Sequence, residues 1–134
     1  MPLWDKWNLD FDDRLPIYRQ IKLRFSRAFV RGEIVLGARV PSIRDMSTVL
    51  KVNANTMQRV YQEMERDGLI FSKRGTGYFF TEDDTMLENT RRALAFESLR
   101  RFVDEMRELG CVDEDIVNEL VNYMKGSGQS DIHA

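Results

Sequence analysis

Apolar residues recur at spacings of three and four along most of the chain, and two short β-prone runs interrupt the pattern. Ile17, Ile21, Phe25 and Ala28, with Tyr18 and Phe29 beside them, form one stripe and predict a helix from Pro16 to about Arg31; proline suits a first helical turn. Ile43, Met46, Val49 and Leu50 predict a short helix over 43–50. Ser42 can cap it by accepting from the N–H of Asp45, whose carboxylate can return the bond. Met57, Val60, Tyr61 and Met64 predict a third helix to about Asp67, opened by Asn53 and closed by Gly68. Leu69-Ile70-Phe71-Ser72 and Tyr78-Phe79-Phe80-Thr81 then read as strands. Lys73-Arg74-Gly75-Thr76-Gly77 joins them, its glycines supplying the positive φ of a hairpin turn.

Past Glu82-Asp83-Asp84 the helical spacing returns. Met86, Leu87, Ala93, Phe96, Leu99, Phe102, Val103, Met106 and Leu109 predict a helix from about Thr85 to Leu109. Gly110 stops it. Asp113 can cap a last helix carrying Ile116, Val117, Leu120, Val121 and Met124, which ends by Gly126. The fold class is therefore mainly α: a winged helix-turn-helix of three helices and a two-stranded wing, followed by a two-helix C-terminal segment. Four regions follow: an arm over 1–15, the winged helix-turn-helix over 16–81, the two helices over 82–126, and a flexible Ser/Gly-rich tail over 127–134. The arm holds Trp4, Trp7, Leu9 and Phe11, aromatics and aliphatics suited to packing on the body or on a partner. Two amphipathic helices of this length cannot bury both stripes against each other, so they dock on the winged helix or on a second chain.

The polar faces carry the candidate chemistry. Arg44 and Thr48 point away from the apolar side of the second helix, and Asn55, Gln58, Arg59 and Gln62 line the outer side of the third. Asn and Gln pair bidentately with adenine and Arg with guanine, so this face suits base edges. The hairpin tip is cationic and slim, fit to lie along a phosphate backbone or a minor groove. Net charge is −2 over 134 residues, yet residues 1–80 hold 14 Lys and Arg against 9 Asp and Glu, while 81–134 hold 6 against 13. A basic module of net +5 is tied to an acidic one of net −7, which restores the case for nucleic acid that the total conceals.

From Pro16 to Thr81 these residues resemble the winged-helix domain of GntR-family transcriptional regulators. The resemblance runs through Leu15-Pro16-Ile17-Tyr18-Arg19-Gln20-Ile21, Gly37-Ala38-Arg39-Val40-Pro41-Ser42-Ile43-Arg44-Asp45, Val52-Asn53-Ala54-Asn55-Thr56-Met57-Gln58-Arg59-Val60-Tyr61-Gln62-Glu63-Met64 and Asp67-Gly68-Leu69-Ile70, and ends on the Lys73–Gly77 tip. The Asn-x-Asn-Thr helix start and the short tail resemble the YtrA-type branch. The resemblance implies operator contacts at Arg44, Asn53, Asn55, Gln58 and the wing-tip glycine, Gly75. The full expected DNA-binding set is Arg39, Ser42, Arg44, Asn53, Asn55, Thr56, Gln58, Arg59, Lys73, Arg74, Gly75 and Thr76. Arg39, Arg44, Lys73 and Arg74 meet phosphates in that reading, and Asn55, Gln58 and Arg59 read bases. Some branches read a guanine with an Arg at the position that Ala54 holds here. The resemblance also implies that the C-terminal helices dimerise, with Phe96, Leu99, Phe102, Val103, Met106, Leu120 and Val121 at the interface. Two recognition helices would then meet a pseudo-palindromic operator. The expected function is a dimeric repressor of an operon; the branch often controls transporter operons.

Enzymatic chemistry has no constellation to stand on. There is one His, His133 near the C-terminus, one Cys, Cys111, no phosphate-cradling loop that opens a helix, and no Ser with a His partner. No cofactor and no metal site are expected, since His133 and Cys111 alone lack the ligand count. Cys111 reads as a small apolar residue, and its lack of an intramolecular partner, with no signal-peptide or membrane-spanning run, points to the cytoplasm. The length leaves no room for a full effector domain, though an unidentified small-molecule effector stays open. The rival reading is a winged helix used only as a protein-interaction or scaffolding module. Such a module would expose an apolar patch in place of the cationic wing and the Gln58-Arg59 pair.

Overall fold

The structure is a computed structural model that describes residues 3–7 and 9–127; the expected flexible tail beyond Ser127, His133 included, lies outside the described residues. A short 3-10 turn over Leu3–Lys6 leads to α1 (Ile17–Val30), β1 (Arg39–Val40), α2 (Ile43–Leu50), α3 (Ala54–Arg66), β2 (Ile70–Lys73), β3 (Gly77–Phe80), α4 (Asp84–Glu108) and α5 (Asp113–Asn122). The chain divides into two compact units, one reaching to Arg92 and one from Ala93 onward.

In the first unit, the apolar stripes of three helices converge. Ile21, Phe25 and Phe29 of α1, Met46 of α2 and Met57, Val60, Tyr61 and Met64 of α3 have no exposed surface. Burying a side chain of this size contributes about 1.5–3 kcal/mol, so these eight dominate the hydrophobic stabilisation. Ile70, Phe80 and Val40 close the core from the sheet. The arm adds its aromatics to the same mass: Trp7 meets the Phe25 ring edge-on at 4.8 Å, and Trp4 lies 6.5 Å from both Phe25 and Phe80. Leu87, in the first turn of α4, packs there too, and the Arg91 guanidinium donates to the Val30 carbonyl at 2.8 Å.

The wing gains a strand that the apolar pattern does not announce. Arg39–Val40 pairs antiparallel with β3, Arg39 facing Phe79 and Val40 facing Tyr78, so the sheet order is β1-β3-β2. Two residues are too few to display a period of two, and the sequence reads them only as the approach to α2. Pairing with β3 satisfies their backbone groups beside a buried Val40. Two capping expectations also change. Ser42 accepts from the Asp45 N–H at 3.1 Å, but Asp45 makes no return bond. Asp113 is the first residue of α5 and not its cap, because the Arg107 guanidinium holds its carboxylate through two bonds of 3.0 and 3.1 Å.

In the second unit Ile116 is the buried hydrophobic residue among those described. Phe102, Val103, Met106, Cys111 and Leu120 are half-buried, while Leu109, Val112, Val117, Tyr123 and Met124 are exposed. Met124 falls past the end of α5, in a final turn over Tyr123–Ser127.

Candidate nucleic-acid interface

Helices α2 and α3 are set against each other by local chemistry. Lys51, between them, takes a left-handed conformation (φ 56°, ψ 46°), and the Val52 N–H reaches back to the Ser47 carbonyl at 3.0 Å. That closes α2 and turns the chain at once. Asn53 then opens α3 by accepting from the Asn55 N–H at 2.7 Å. The Tyr61 hydroxyl donates to the Pro41 carbonyl at 2.7 Å, pinning the middle of α3 to the approach of α2; burial of the phenol pushes its pKa well above the ordinary value. On the side facing α1, the Lys22 ammonium contacts both Glu63, at 3.3 Å, and Asp67. Glu63 is shared further with Arg66 at 3.3 Å and Arg59 at 3.9 Å.

The outer side of α3 is left open. Asn55, Gln58, Arg59, Gln62, Glu63 and Arg66 line a shallow groove of about 420 Å³. Asn55, Gln58 and Gln62 are exposed, and their amides make no hydrogen bond within the described residues. An amide row with free donors and acceptors on a rigid helix is what bidentate adenine recognition requires. Asn53 and Ser42 have committed one oxygen each to capping, which leaves the Asn53 amide protons and the Ser42 hydroxyl proton to donate. Thr56 is half-buried. Arg44 is exposed and has no ion-pair partner among the described residues. Arg59 is engaged: its guanidinium lies 3.8 Å from the centre of the Tyr18 ring and donates to the Tyr18 hydroxyl at 3.1 Å.

The wing tip turns between Lys73 and Thr76, whose N–H donates to the Lys73 carbonyl at 2.9 Å. Gly75 supplies φ +77° there. Gly77, at φ +119°, lets the Arg39 guanidinium come close, and Arg39 donates to the Thr76 carbonyl at 2.7 Å. Arg39 thus braces the tip from β1. The Lys73 ammonium lies 4.9 Å from the Phe79 ring and 5.9 Å from Phe71, two rings that stack at 5.9 Å. Arg74 is exposed with no ion-pair partner among the described residues. Among the four cations expected at phosphates, Arg44 and Arg74 are free, Lys73 is held over aromatics and Arg39 is structural as well as charged. No helix among the described residues is long and apolar enough to cross a membrane, and they contain no group of metal-ligating side chains.

The expected interface residues of the C-terminal helices divide by exposure. Phe96 is 67% exposed, Leu99 51% and Val121 42%, whereas Phe102, Val103, Met106 and Leu120 are half-buried. Sequence reasoning missed three side-chain features of the first unit: the Lys22-Glu63-Asp67 cluster, the contact of Tyr18 with Arg59 and the bond from Arg39 to the Thr76 carbonyl. Tyr18 reads from its spacing as part of an apolar stripe, and 41 positions separate it from Arg59, so no periodicity joins them.

Comparison with known proteins agrees with this fold. The family described as bacterial regulatory proteins, gntR family, matches residues 17–80. The HTH-type transcriptional regulator YhcF of Bacillus subtilis (strain 168) is 37% identical over 116 residues, covering 87% of this chain and 96% of its own. The HTH-type transcriptional repressor YtrA of the same organism is 28% identical over 120 residues, with 87% and 92% covered. Among solved structures, a GntR family transcriptional regulator from Listeria monocytogenes aligns with a TM-score of 0.75 at 36% identity, covering 84% of this chain and 98% of its own.

Proposed function

Since the chain belongs to the GntR family and is a DNA-binding transcriptional regulator, not an enzyme, we propose that it acts in the cytoplasm as a dimeric repressor bound to a pseudo-palindromic operator. The observation that carries this reading is the row of exposed, uncommitted amides at Asn55, Gln58 and Gln62, flanked by free guanidinium groups at Arg44 and Arg74. Residues 16–81 form the DNA-binding module. Phosphate contacts from Arg44, Lys73 and Arg74, with Ser42, Asn53, Thr56, the Gly75 N–H and the Thr76 hydroxyl donating beside them, set its register. Arg39 holds the tip in place and adds charge. The amides of α3 read base edges in the major groove.

Residues 82–126 form the dimer element in this reading. Apolar exposure at Phe96, Leu99 and Val121 supports it, because a second copy is the surface that a symmetric regulator has available. YtrA of Bacillus subtilis is a transcriptional repressor, which supports the direction of regulation. The test is selection of fragments from the source genome by the purified full-length chain, followed by footprinting. Two protected half-sites related by a two-fold axis, centred about one helical turn of DNA apart or a multiple of it, are expected. Uniform retention of all fragments, with no footprint, would reject the reading.

A further inference from the structure

Arg59 stands where two concave surfaces meet. One is the groove along α3 that it shares with Gln58 and Gln62; the other is a recess of about 300 Å³ lined by Ile17, Tyr18, Asn55 and Thr56. A guanidinium extended into the first would face base edges. Here it is turned back onto α1. Two contacts of different kinds hold it there, the face of the Tyr18 ring at 3.8 Å and the Tyr18 hydroxyl at 3.1 Å; a looser one, 3.9 Å to the Glu63 carboxylate, stays within α3. Tyr18 is itself fixed, since its ring packs against the core and its hydroxyl also accepts from Arg19 Nε at 3.3 Å. On the groove side neither Gln58 nor Gln62 bonds Arg59, and the Glu63 carboxylate, at 3.9 Å, is farther from it than the Tyr18 hydroxyl.

We propose that Tyr18 is a specificity-determining residue: it keeps Arg59 off the bases. Arg59 then positions α3 against α1, and base reading is left to Asn55, Gln58 and Gln62. This inference rests on the reading of α3 as the recognition helix. A guanidinium free to enter the groove would pair bidentately with O6 and N7 of guanine. Stacking on an aromatic face competes for that same planar group, so the hold exerted by Tyr18 removes a guanine preference from the operator. Releasing Arg59 adds the guanine back.

The experiment is selection from a randomised duplex library by the full-length wild type, Arg59→Ala, Tyr18→Ala and the double variant, each with its thermal melt recorded. Tyr18→Leu, which keeps apolar packing against the core without an aromatic face, substitutes for the alanine variant should that one melt early. Wild type and Arg59→Ala are expected to select the same motif. Tyr18→Ala is expected to gain a guanine at one position in each half-site, enriched at least about fivefold, the low end for a bidentate pair. The double variant should lose it. Loss of a base preference in Arg59→Ala alone would overturn the proposal, because Arg59 would then be reading in the wild type. Weaker binding of Tyr18→Ala to all sequences alike, with an unchanged motif, would overturn it too and make Tyr18 a phosphate contact. A wild type that selects no motif sinks the recognition-helix reading, and this inference with it.

Discussion

Arg44 and Gln58 are both exposed and unpaired, yet they predict losses of different kinds. A guanidinium on a phosphate neutralises charge whatever the sequence, so Arg44→Ala should weaken every duplex alike and lower the slope of log affinity against log salt by about one. An amide on a base edge discriminates. Gln58→Ala should cost roughly 1–3 kcal/mol on the preferred operator, far less on random DNA, and relax one position per half-site. Titrating both variants against operator and random duplexes over a range of salt separates the two; equal losses on both DNAs would make Gln58 a positioning contact. The turn between these residues carries a different prediction. Lys51 holds the left-handed conformation at φ 56°, which costs a residue with a Cβ about 1–2 kcal/mol. Glycine removes that strain but enlarges the freedom of the unfolded chain, so Lys51→Gly should stabilise by a net of about 0.5–1 kcal/mol. Urea unfolding measures it, and an unchanged or lower midpoint would show the turn to be unstrained.

Between elements, the ion cluster joining α1 to α3 gives the first unit a pH dependence. Burial, the largest influence on Asp67, would raise its pKa, but hydrogen bonds and charge from Lys22 and Arg66 together outweigh it and hold the carboxyl below its ordinary value of 3.8. A carboxylate depressed in the folded state contributes stability above its unfolded pKa and loses it as pH falls through the folded one. Wild type should therefore exceed Asp67→Asn in stability at neutral pH, with the gap closing below about pH 4. Profiles that stay parallel well below pH 4 would assign Lys22 to Glu63 alone. Such clusters mark the limit of what was legible in the chain. Asn53 at the start of α3 and Gly68 after its end were readable, because caps act within a turn of the helix they terminate. The row of Asn55, Gln58 and Gln62 was readable because a helix sorts its faces by a fixed angle. Lys22 with Asp67, Tyr18 with Arg59, and Arg39 with Thr76 were not. Each joins segments whose approach is decided by the packed core, and a long cationic side chain shows its partner only once that approach is fixed. The reciprocal Asp45 bond and the Asp113 cap failed in the same way: local chemistry offered them, and geometry or a nearby guanidinium did not leave them in place.

For the whole molecule the central question is association. In the proposed reading one α3 covers one half-site, and joining two modules would make the second contact effectively intramolecular, raising overall affinity by orders of magnitude. The exposure of the C-terminal helices decides where to test this. Phe102 and Leu120 are half-buried within their own unit, so a charge placed there disturbs folding as well as association. Phe96 and Leu99, at 67% and 51% exposed, offer a cleaner choice. A charge at either position stays hydrated in the isolated chain and is desolvated only if a partner covers it. The variant Phe96→Asp, alone or with Leu99→Asp, should keep the wild-type thermal melt when measured at concentrations where both are monomeric. At micromolar protein it should sediment as a monomer while the wild type sediments as a dimer, and its operator affinity should fall while its affinity for a single half-site is unchanged. A wild type that is monomeric at that concentration, or a charged variant that still dimerises, would move the interface away from Phe96 and Leu99. In the first case two-fold operator symmetry would lose its physical source; in the second, Val117 and Val121 of α5, at 59% and 42% exposed, become the next residues to charge.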